Sequence, residues 1–129
     1  MRTEFGKTIG GFTNHPWSSN GGWVSDPNSR VFIFSLDMKE KFVPMNSRNL
    51  IYCNSLSGPT FGGGNGNDIF ICNNCNSENN SHSNFPESFN KESGTKWIKS
   101  QDSFFKFSGA TNGIRFRVLE YEVFKVCYN

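Results

Sequence analysis

A glycine-rich run in the middle of the chain constrains its fold more than any other feature. Residues 58–68 read Gly-Pro-Thr-Phe-Gly-Gly-Gly-Asn-Gly-Asn-Asp, and an apolar stretch, Ile69-Phe70-Ile71-Cys72, follows at once. A glycine-rich loop that cradles phosphate opens instead onto a helix whose free N–H groups face the anion, usually with a Lys-Ser/Thr pair. Because the stretch after these glycines has the β-branched and aromatic composition of a strand, the run is predicted to be a structural turn and not a phosphate site.

Short strand-like stretches recur along the rest of the chain. Apolar and aromatic clusters bounded by turn-forming residues predict strands over residues 30–36, 49–53, 68–72, 96–98, 104–107, 114–118 and 121–126. The alternation in 114–118 puts Phe116 and Val118 on one strand face and Arg115 and Arg117 on the other. Since the i, i+3, i+4, i+7 apolar spacing of a helix is absent, the sequence predicts a mainly β fold, an antiparallel β-sandwich.

Size and composition limit the classes of function. A chain of 129 residues has the typical length of a single domain. Its 14 phenylalanines can fill a core, although only 35% of the residues are hydrophobic. A net charge of +2 indicates no nucleic-acid partner and no anionic membrane surface. Neither a signal peptide nor a stretch able to span a bilayer is recognisable, so we expect a cytoplasmic protein with reduced cysteines and without direct membrane insertion.

The residues that most often carry chemistry are few and scattered. Cys72 and Cys75 have the spacing of half a zinc site, but only isolated Cys53, Cys127 and His82 remain as further ligands. We therefore expect no metal and no cofactor. A thiol-based redox role for Cys72 and Cys75 stays as an alternative, although the pair follows a strand and lacks cationic neighbours.

No catalytic residues can be assigned from the remaining candidates. The histidines His15 and His82 lack a neighbouring nucleophile motif, and we expect them to be surface or loop residues. Glu120 and Glu122 share a strand face, where such a pair is usually solvated. The phenylalanines of 104–121 alternate with polar residues as core residues do, which argues against a base-stacking platform.

Five ordered motifs resemble the TLDc domain family. They are Gly10-Gly11-Phe12-Thr13 with Pro16-Trp17-Ser18-Ser19, the turn Asp26-Pro27-Asn28-Ser29 before strand 31–36, the run 58–71, the tract 76–85 ending in Ser81-His82-Ser83-Asn84-Phe85, and Tyr121-Glu122-Val123-Phe124-Lys125-Val126. The match spans essentially the whole chain and is closest to an Asn-rich protist form of the domain. The signature positions that this resemblance marks as structural are Trp17, Phe61, Gly62, Gly63, Gly64, Asp68, Asn84, Phe85, Glu122 and Phe124.

The resemblance implies a β-sandwich whose family counterpart begins earlier, with helical segments and a first core strand. We therefore expect residues 1–129 to form a single TLDc domain that lacks those N-terminal helical segments, either truncated or minimal. The resemblance also implies that the chain is a non-enzymatic interaction module. Such a module would be a subunit or regulator of a larger assembly, such as the vacuolar-type proton pump, and would be linked to resistance to oxidative stress. A ligand-binding, lectin-like β-sandwich is a further alternative, suggested by the Trp, Asn and Gly content of the loops.

Overall fold

Two antiparallel sheets enclose the core of this protein. The computed structural model describes residues 1–19, 21–28 and 30–127. Its strands are β1 (Arg2–Thr3), β2 (Ile9–Thr13), β3 (Gly22–Val24), β4 (Val31–Ser35), β5 (Glu40–Pro44), β6 (Ile51–Cys53), β7 (Ser57–Phe61), β8 (Ile69–Cys72), β9 (Ser81–His82), β10 (Phe89–Asn90), β11 (Arg115–Phe116) and β12 (Val118–Glu120). The mainly β, antiparallel fold predicted from the sequence is therefore confirmed.

The strands are arranged in a smaller sheet, a larger sheet and a separate pair. The four-stranded sheet has the order β10-β5-β4-β2, and the six-stranded sheet has the order β11-β9-β8-β7-β6-β3. β1 pairs with β12, in antiparallel register from Thr3 opposite Val118 to Arg2 opposite Glu120. Burial alternates along β4 and β8, because successive side chains of a strand point to opposite faces.

Phenylalanines from distant parts of the chain meet in the core. Phe42 of β5 lies 4.5 Å from Phe85, measured between ring centroids, and Phe85 stacks on Phe107 at the same separation. Phe116 is fully buried and Val118 with it, whereas Arg115 and Arg117 are exposed. The face assignment made from the alternating residues is thus confirmed.

A helix stands where the sequence indicated a strand. Helix α1 (Gln101–Ser108) contains the whole stretch 104–107, so that prediction is wrong. Ser100 caps the helix by accepting the Ser103 N–H, while the Ser103 hydroxyl accepts the Ser100 N–H. Gly109 ends it with a left-handed φ of 87°, a conformation that glycine adopts without penalty. These caps and the burial of Phe107 outweigh the strand preference of a phenylalanine-rich sequence.

Two further predicted strands are absent from the described residues. Residues 96–98 have no strand geometry, because the side chain of Asn90 takes the place of a partner strand. Its amide oxygen accepts the Trp97 N–H at 2.9 Å and its amide nitrogen donates to the Trp97 carbonyl at 3.0 Å. Residues 121–126 continue from β12 but pair with no strand of the described chain, and an isolated extended segment lacks the inter-strand hydrogen bonds that define a sheet.

Candidate functional site

The glycine run forms a β-hairpin. Its first part, 58–61, belongs to β7, and β7 pairs with β8 through Thr60 opposite Phe70 and Phe61 opposite Ile69. Residues 62–68 are therefore the connection between two neighbouring strands. Within it, Gly62 has a φ of 77° and Gly64 a φ of 151°, which are backbone conformations that favour glycine.

A buried carboxylate closes this hairpin connection. Asp68 is fully buried, and its Oδ2 accepts the N–H of Glu87 at 2.8 Å and that of Phe89 at 3.3 Å. Its Oδ1 accepts the N–H of Ser88 at 2.8 Å. Burial raises the pKa of Asp68 to about 7, against the opposing effect of the Ser88 and Phe89 N–H groups. The side chain thus accepts hydrogen bonds from a turn of backbone that lies about twenty residues further along the chain.

Other hydrogen bonds join the same two segments. The Ser88 hydroxyl donates to the Gly63 carbonyl at 2.8 Å and accepts the Gly63 N–H at 3.0 Å. The Asn84 N–H donates to the Asn67 carbonyl at 2.8 Å. The next residue, Phe85, lies in the core, and its carbonyl accepts a hydrogen bond from the Ser103 hydroxyl. These contacts give the hairpin connection a structural role.

Gly63 shapes the aromatic surface beside the hairpin. A Cβ added at Gly63 would lie 2.3 Å from the Trp23 ring, so glycine leaves the space that this ring occupies. Trp23 in turn lies 4.8 Å from Tyr52, its cross-strand neighbour on β6, between ring centroids. The glycine therefore fixes two aromatic side chains at once.

A cleft on the surface is lined in part by Tyr52. This Trp17–Tyr52 cleft has a volume of about 280 Å³, and its lining includes Trp17, Tyr52, Asn54, Ser57 and Pro59. Trp17 and Phe61 form a T-shaped aromatic pair, with 5.6 Å between ring centroids. The Ser57 hydroxyl is a buried side-chain polar atom without a hydrogen-bond partner in the described chain. The lining contains no charged side chain.

The signature residues fall into two groups in space. Trp17, Phe61, Gly62, Gly63, Gly64, Asp68, Asn84 and Phe85 surround the hairpin connection or the core beneath it. Glu122 and Phe124 do not join them, because they lie in the C-terminal segment, which we define as residues 121–127. There Val123 is 72% exposed and Phe124 is 76% exposed.

The cysteines and histidines differ in their burial and surroundings. Cys75 is buried, and burial, with a smaller effect of Cys72, raises the pKa of its thiol. The Ser81 hydroxyl donates to the Cys72 sulfur at 3.4 Å. His82 lies in β9, where it stacks on Phe70, and burial lowers the pKa of its imidazole. His15, by contrast, lies in a loop and pairs with Asp26 at 3.2 Å.

Metal-binding clusters and membrane-spanning helices are both absent from the described residues. Over 1–19, 21–28 and 30–127, no group of three or more His, Cys, Asp or Glu side chains is placed to hold a metal ion. In the same residues, no helix has the length and apolar character needed to cross a membrane. The sequence reasoning missed Trp23, Tyr52, Ser57 and Ser88, since only the fold brings them to the glycine run.

The fold and the site define a mainly β domain in which a glycine hairpin is held by a buried carboxylate. The family model described as the TLDc domain matches residues 1–127. The chain therefore belongs to the TLDc domain family, and the resemblance seen in its motifs is confirmed. No curated protein and no solved structure gives a significant match to it.

Proposed function

We propose that this chain is a non-enzymatic interaction module of the TLDc type that binds a larger assembly through its C-terminal segment. The observation that carries the proposal is the exposure of apolar side chains on a segment with a strand-like sequence. Phe124 is 76% exposed, Val123 72% and Tyr121 60%, and no strand of the described chain pairs with them. Single exposed apolar residues are ordinary, but several in one unpaired stretch are typical of an interaction site.

The mechanism that fits this segment is the addition of a strand from the partner. Residues 121–126 follow β12 directly and present free backbone groups together with β-branched and aromatic side chains. A partner strand would supply the missing inter-strand hydrogen bonds and cover the side chains of one face. Removing the Phe124 side chain from water contributes roughly 1.5–3 kcal/mol, enough to make this ring a dominant contact.

The assembly that we propose is the vacuolar-type proton pump, with the chain at its cytoplasmic face. Membership of the TLDc family supports this choice, as does the interaction role that the family resemblance implies. A link to resistance to oxidative stress would then follow from binding and not from thiol chemistry, since burial raises the pKa of Cys75 and so disfavours a reactive thiolate.

Affinity capture with two matched variants tests the proposal. Tagged wild-type chain and Phe124→Glu are compared with Phe105→Glu, which changes a phenylalanine that is 47% exposed on α1. We expect wild type and Phe105→Glu to recover proton-pump subunits in stoichiometric amounts. Phe124→Glu should recover at least about tenfold less, as expected when a central aromatic contact is lost.

Two outcomes contradict the proposal. Equal recovery by Phe124→Glu and wild type would show that the segment is not the binding site. A wild-type chain that stays monomeric and captures no stoichiometric partner would argue against an interaction module altogether.

A further inference from the structure

We propose that Asn65 is a site of spontaneous deamidation, at which the folded chain acquires an isoaspartate or aspartate residue without the action of an enzyme. The site lies in the hairpin connection between β7 and β8 and does not depend on the proposed function. Asn-Gly pairs stand at 20–21, 65–66 and 112–113. The structure describes both residues of the second and third pairs, and it gives these two pairs different surroundings.

The reaction needs an asparagine side chain and the backbone nitrogen of the next residue. The Gly66 nitrogen gives up its proton and attacks the Asn65 side-chain carbon Cγ, and the bond from Cγ to the NH₂ group breaks so that ammonia leaves with that proton. The ring that remains is a succinimide. Water opens it at the backbone carbonyl to give isoaspartate, or at the side-chain carbonyl to give aspartate. Water is the one co-reactant, and no group is oxidised or reduced.

The surroundings of Asn65 leave this attack unhindered. The Gly66 N–H donates to no acceptor in the described chain, and the Asn65 side chain forms no hydrogen bond there. Asn65 is exposed, so water reaches its side chain. Gly64 and Gly66 flank it, and glycine restricts the backbone rotation that brings nitrogen and Cγ together less than any other residue.

The pair Asn112–Gly113 has the same two residues in a restrained setting. The Gly113 N–H donates to the Gln101 side-chain oxygen Oε1 at 2.9 Å, and the Gly113 carbonyl accepts from Gln101 Nε2 at 3.1 Å. The same Nε2 donates to the Ala110 carbonyl at 2.8 Å, which fixes the Gln101 side chain. Attack by the Gly113 nitrogen must first break its bond to Gln101. Asn65 therefore reacts faster than Asn112, although the two dipeptides are identical.

Deamidation of Asn65 changes both the charge and the length of the hairpin connection. Either product places a carboxylate next to that of Glu87, whose Oε1 accepts the Asn65 N–H at 3.0 Å. Isoaspartate also inserts a methylene group into the backbone. The connection cannot simply expand, because the Asn67 side chain donates to the Gly62 carbonyl at 2.8 Å and the Asn67 carbonyl accepts the Asn84 N–H. The modified chain should therefore unfold at a lower denaturant concentration.

Peptide mass spectrometry of the full chain, incubated at neutral and mildly alkaline pH, tests the proposal. Conversion of amide to acid is followed separately in the peptides that contain Asn65 and Asn112. A protein isoaspartyl methyltransferase with labelled S-adenosylmethionine measures the isoaspartate formed. We expect conversion at Asn65 to be about two- to tenfold faster than at Asn112, the factor by which a hydrogen bond of ordinary strength slows a reaction that must break it. Asn65→Gln should remove most of the methyl incorporation, because glutamine must close a larger ring.

Gln101→Ala tests the structural reason for the difference. Gln101 is exposed at the start of α1, where alanine is a good helix former, and circular dichroism checks that the variant is folded. Loss of its side chain frees the Gly113 N–H, so conversion at Asn112 should rise close to that at Asn65, whose own rate stays unchanged. Conversion at Asn65 no faster than at Asn112 in the wild-type chain would overturn the proposal. A folded Gln101→Ala chain in which Asn112 remains slow would refute its structural basis.

The unfolded chain supplies the control for local sequence. In guanidinium, where the bond from Gly113 to Gln101 is lost, the two sites should convert at similar rates. An unfolded chain that keeps the full difference between Asn65 and Asn112 would show that neighbouring residues, and not the fold, set the rates.

Discussion

Gly62→Ala is the substitution that most directly tests the role of the hairpin connection. Gly62 has a φ of 77°, and a Cβ placed there would lie 2.0 Å from Asp68 Oδ1. The added methyl group therefore meets two separate obstacles. The backbone must hold a left-handed conformation with a side chain present, and Asp68 must move away from the backbone N–H groups that it accepts.

The magnitude follows from these two terms. A left-handed backbone costs about 1–2 kcal/mol for an ordinary residue. Displacing Asp68 loosens its bonds to Glu87, Ser88 and Phe89, and the Phe89 N–H is buried. Leaving one buried N–H unsatisfied costs about 1–3 kcal/mol. The sum is roughly 2–5 kcal/mol, a large part of the 5–15 kcal/mol that stabilises a typical domain.

Denaturant unfolding followed by circular dichroism measures this loss, with Gly63→Ala as the matched control. Gly63 has no positive φ, so an added side chain meets no left-handed backbone strain there. Its added Cβ meets only the partly exposed Trp23 ring, at 2.3 Å. Gly63→Ala should therefore lose less than about 1.5 kcal/mol while changing the Trp23 fluorescence. A Gly62→Ala protein as stable as wild type, or less affected than Gly63→Ala, would refute the reasoning.

Three further predictions concern single buried side chains. Burial raises the pKa of Asp68 from 3.8 in the unfolded chain to about 7 in the folded one, so folding favours the protonated side chain. The contribution of protonated Asp68 to the free energy of unfolding is full below about pH 4. Between pH 4 and pH 7 this contribution falls by about 1.4 kcal/mol per pH unit. Denaturation of wild type and Asp68→Asn from pH 4 to 8 checks this, and parallel curves would exclude it. Phe116→Ala should lower the free energy of unfolding by about 3–5 kcal/mol, since Phe116 is fully buried; a loss below about 1 kcal/mol would contradict its place in the core. Cys75 should react with iodoacetamide more slowly than the exposed Cys127 at neutral pH, as read by peptide mass spectrometry, and faster labelling of Cys75 would revive the redox alternative.

Several strands of both sheets follow from local sequence pattern. The strands β4, β6 and β8 are short apolar stretches whose side chains alternate between buried and partly exposed positions, and this pattern is visible without a structure. β2 shows the limit of that reasoning. Its Gly10 and Gly11 weaken the strand signal, yet a Cβ at either would lie 2.5 Å from an aromatic ring, that of Phe34 or Phe61. Packing between distant residues overrides the local preference there.

The candidate site was also predictable only in part, because local sequence marks its turn but not its long-range contacts. The sequence indicates that the glycine run is a turn, because a strand follows it. It cannot indicate that Asp68 will accept the N–H groups of residues 87–89, since that contact joins segments about twenty residues apart. The cleft is likewise a product of the fold, which brings Trp17 beside Tyr52 and Ser57.

Helix α1 and the C-terminal segment show what a single sequence leaves undetermined. The stretches 104–107 and 121–126 were both predicted as strands, and the caps at Ser100 and Gly109 make the first of them part of a helix. The other, residues 121–126, has a strand-like sequence but finds no partner in the described chain. A pattern within the segment therefore cannot specify whether it finds a pairing partner.

Hydrogen–deuterium exchange of the C-terminal segment tests the central claim most directly. The backbone amides of residues 122–126 are measured in the purified chain and in the chain bound to the captured assembly. We predict rapid exchange in the free chain, because these amides form no strand pairing, and strong protection in the complex, because a partner strand then accepts them. Equal and rapid exchange in both states would contradict docking through this segment.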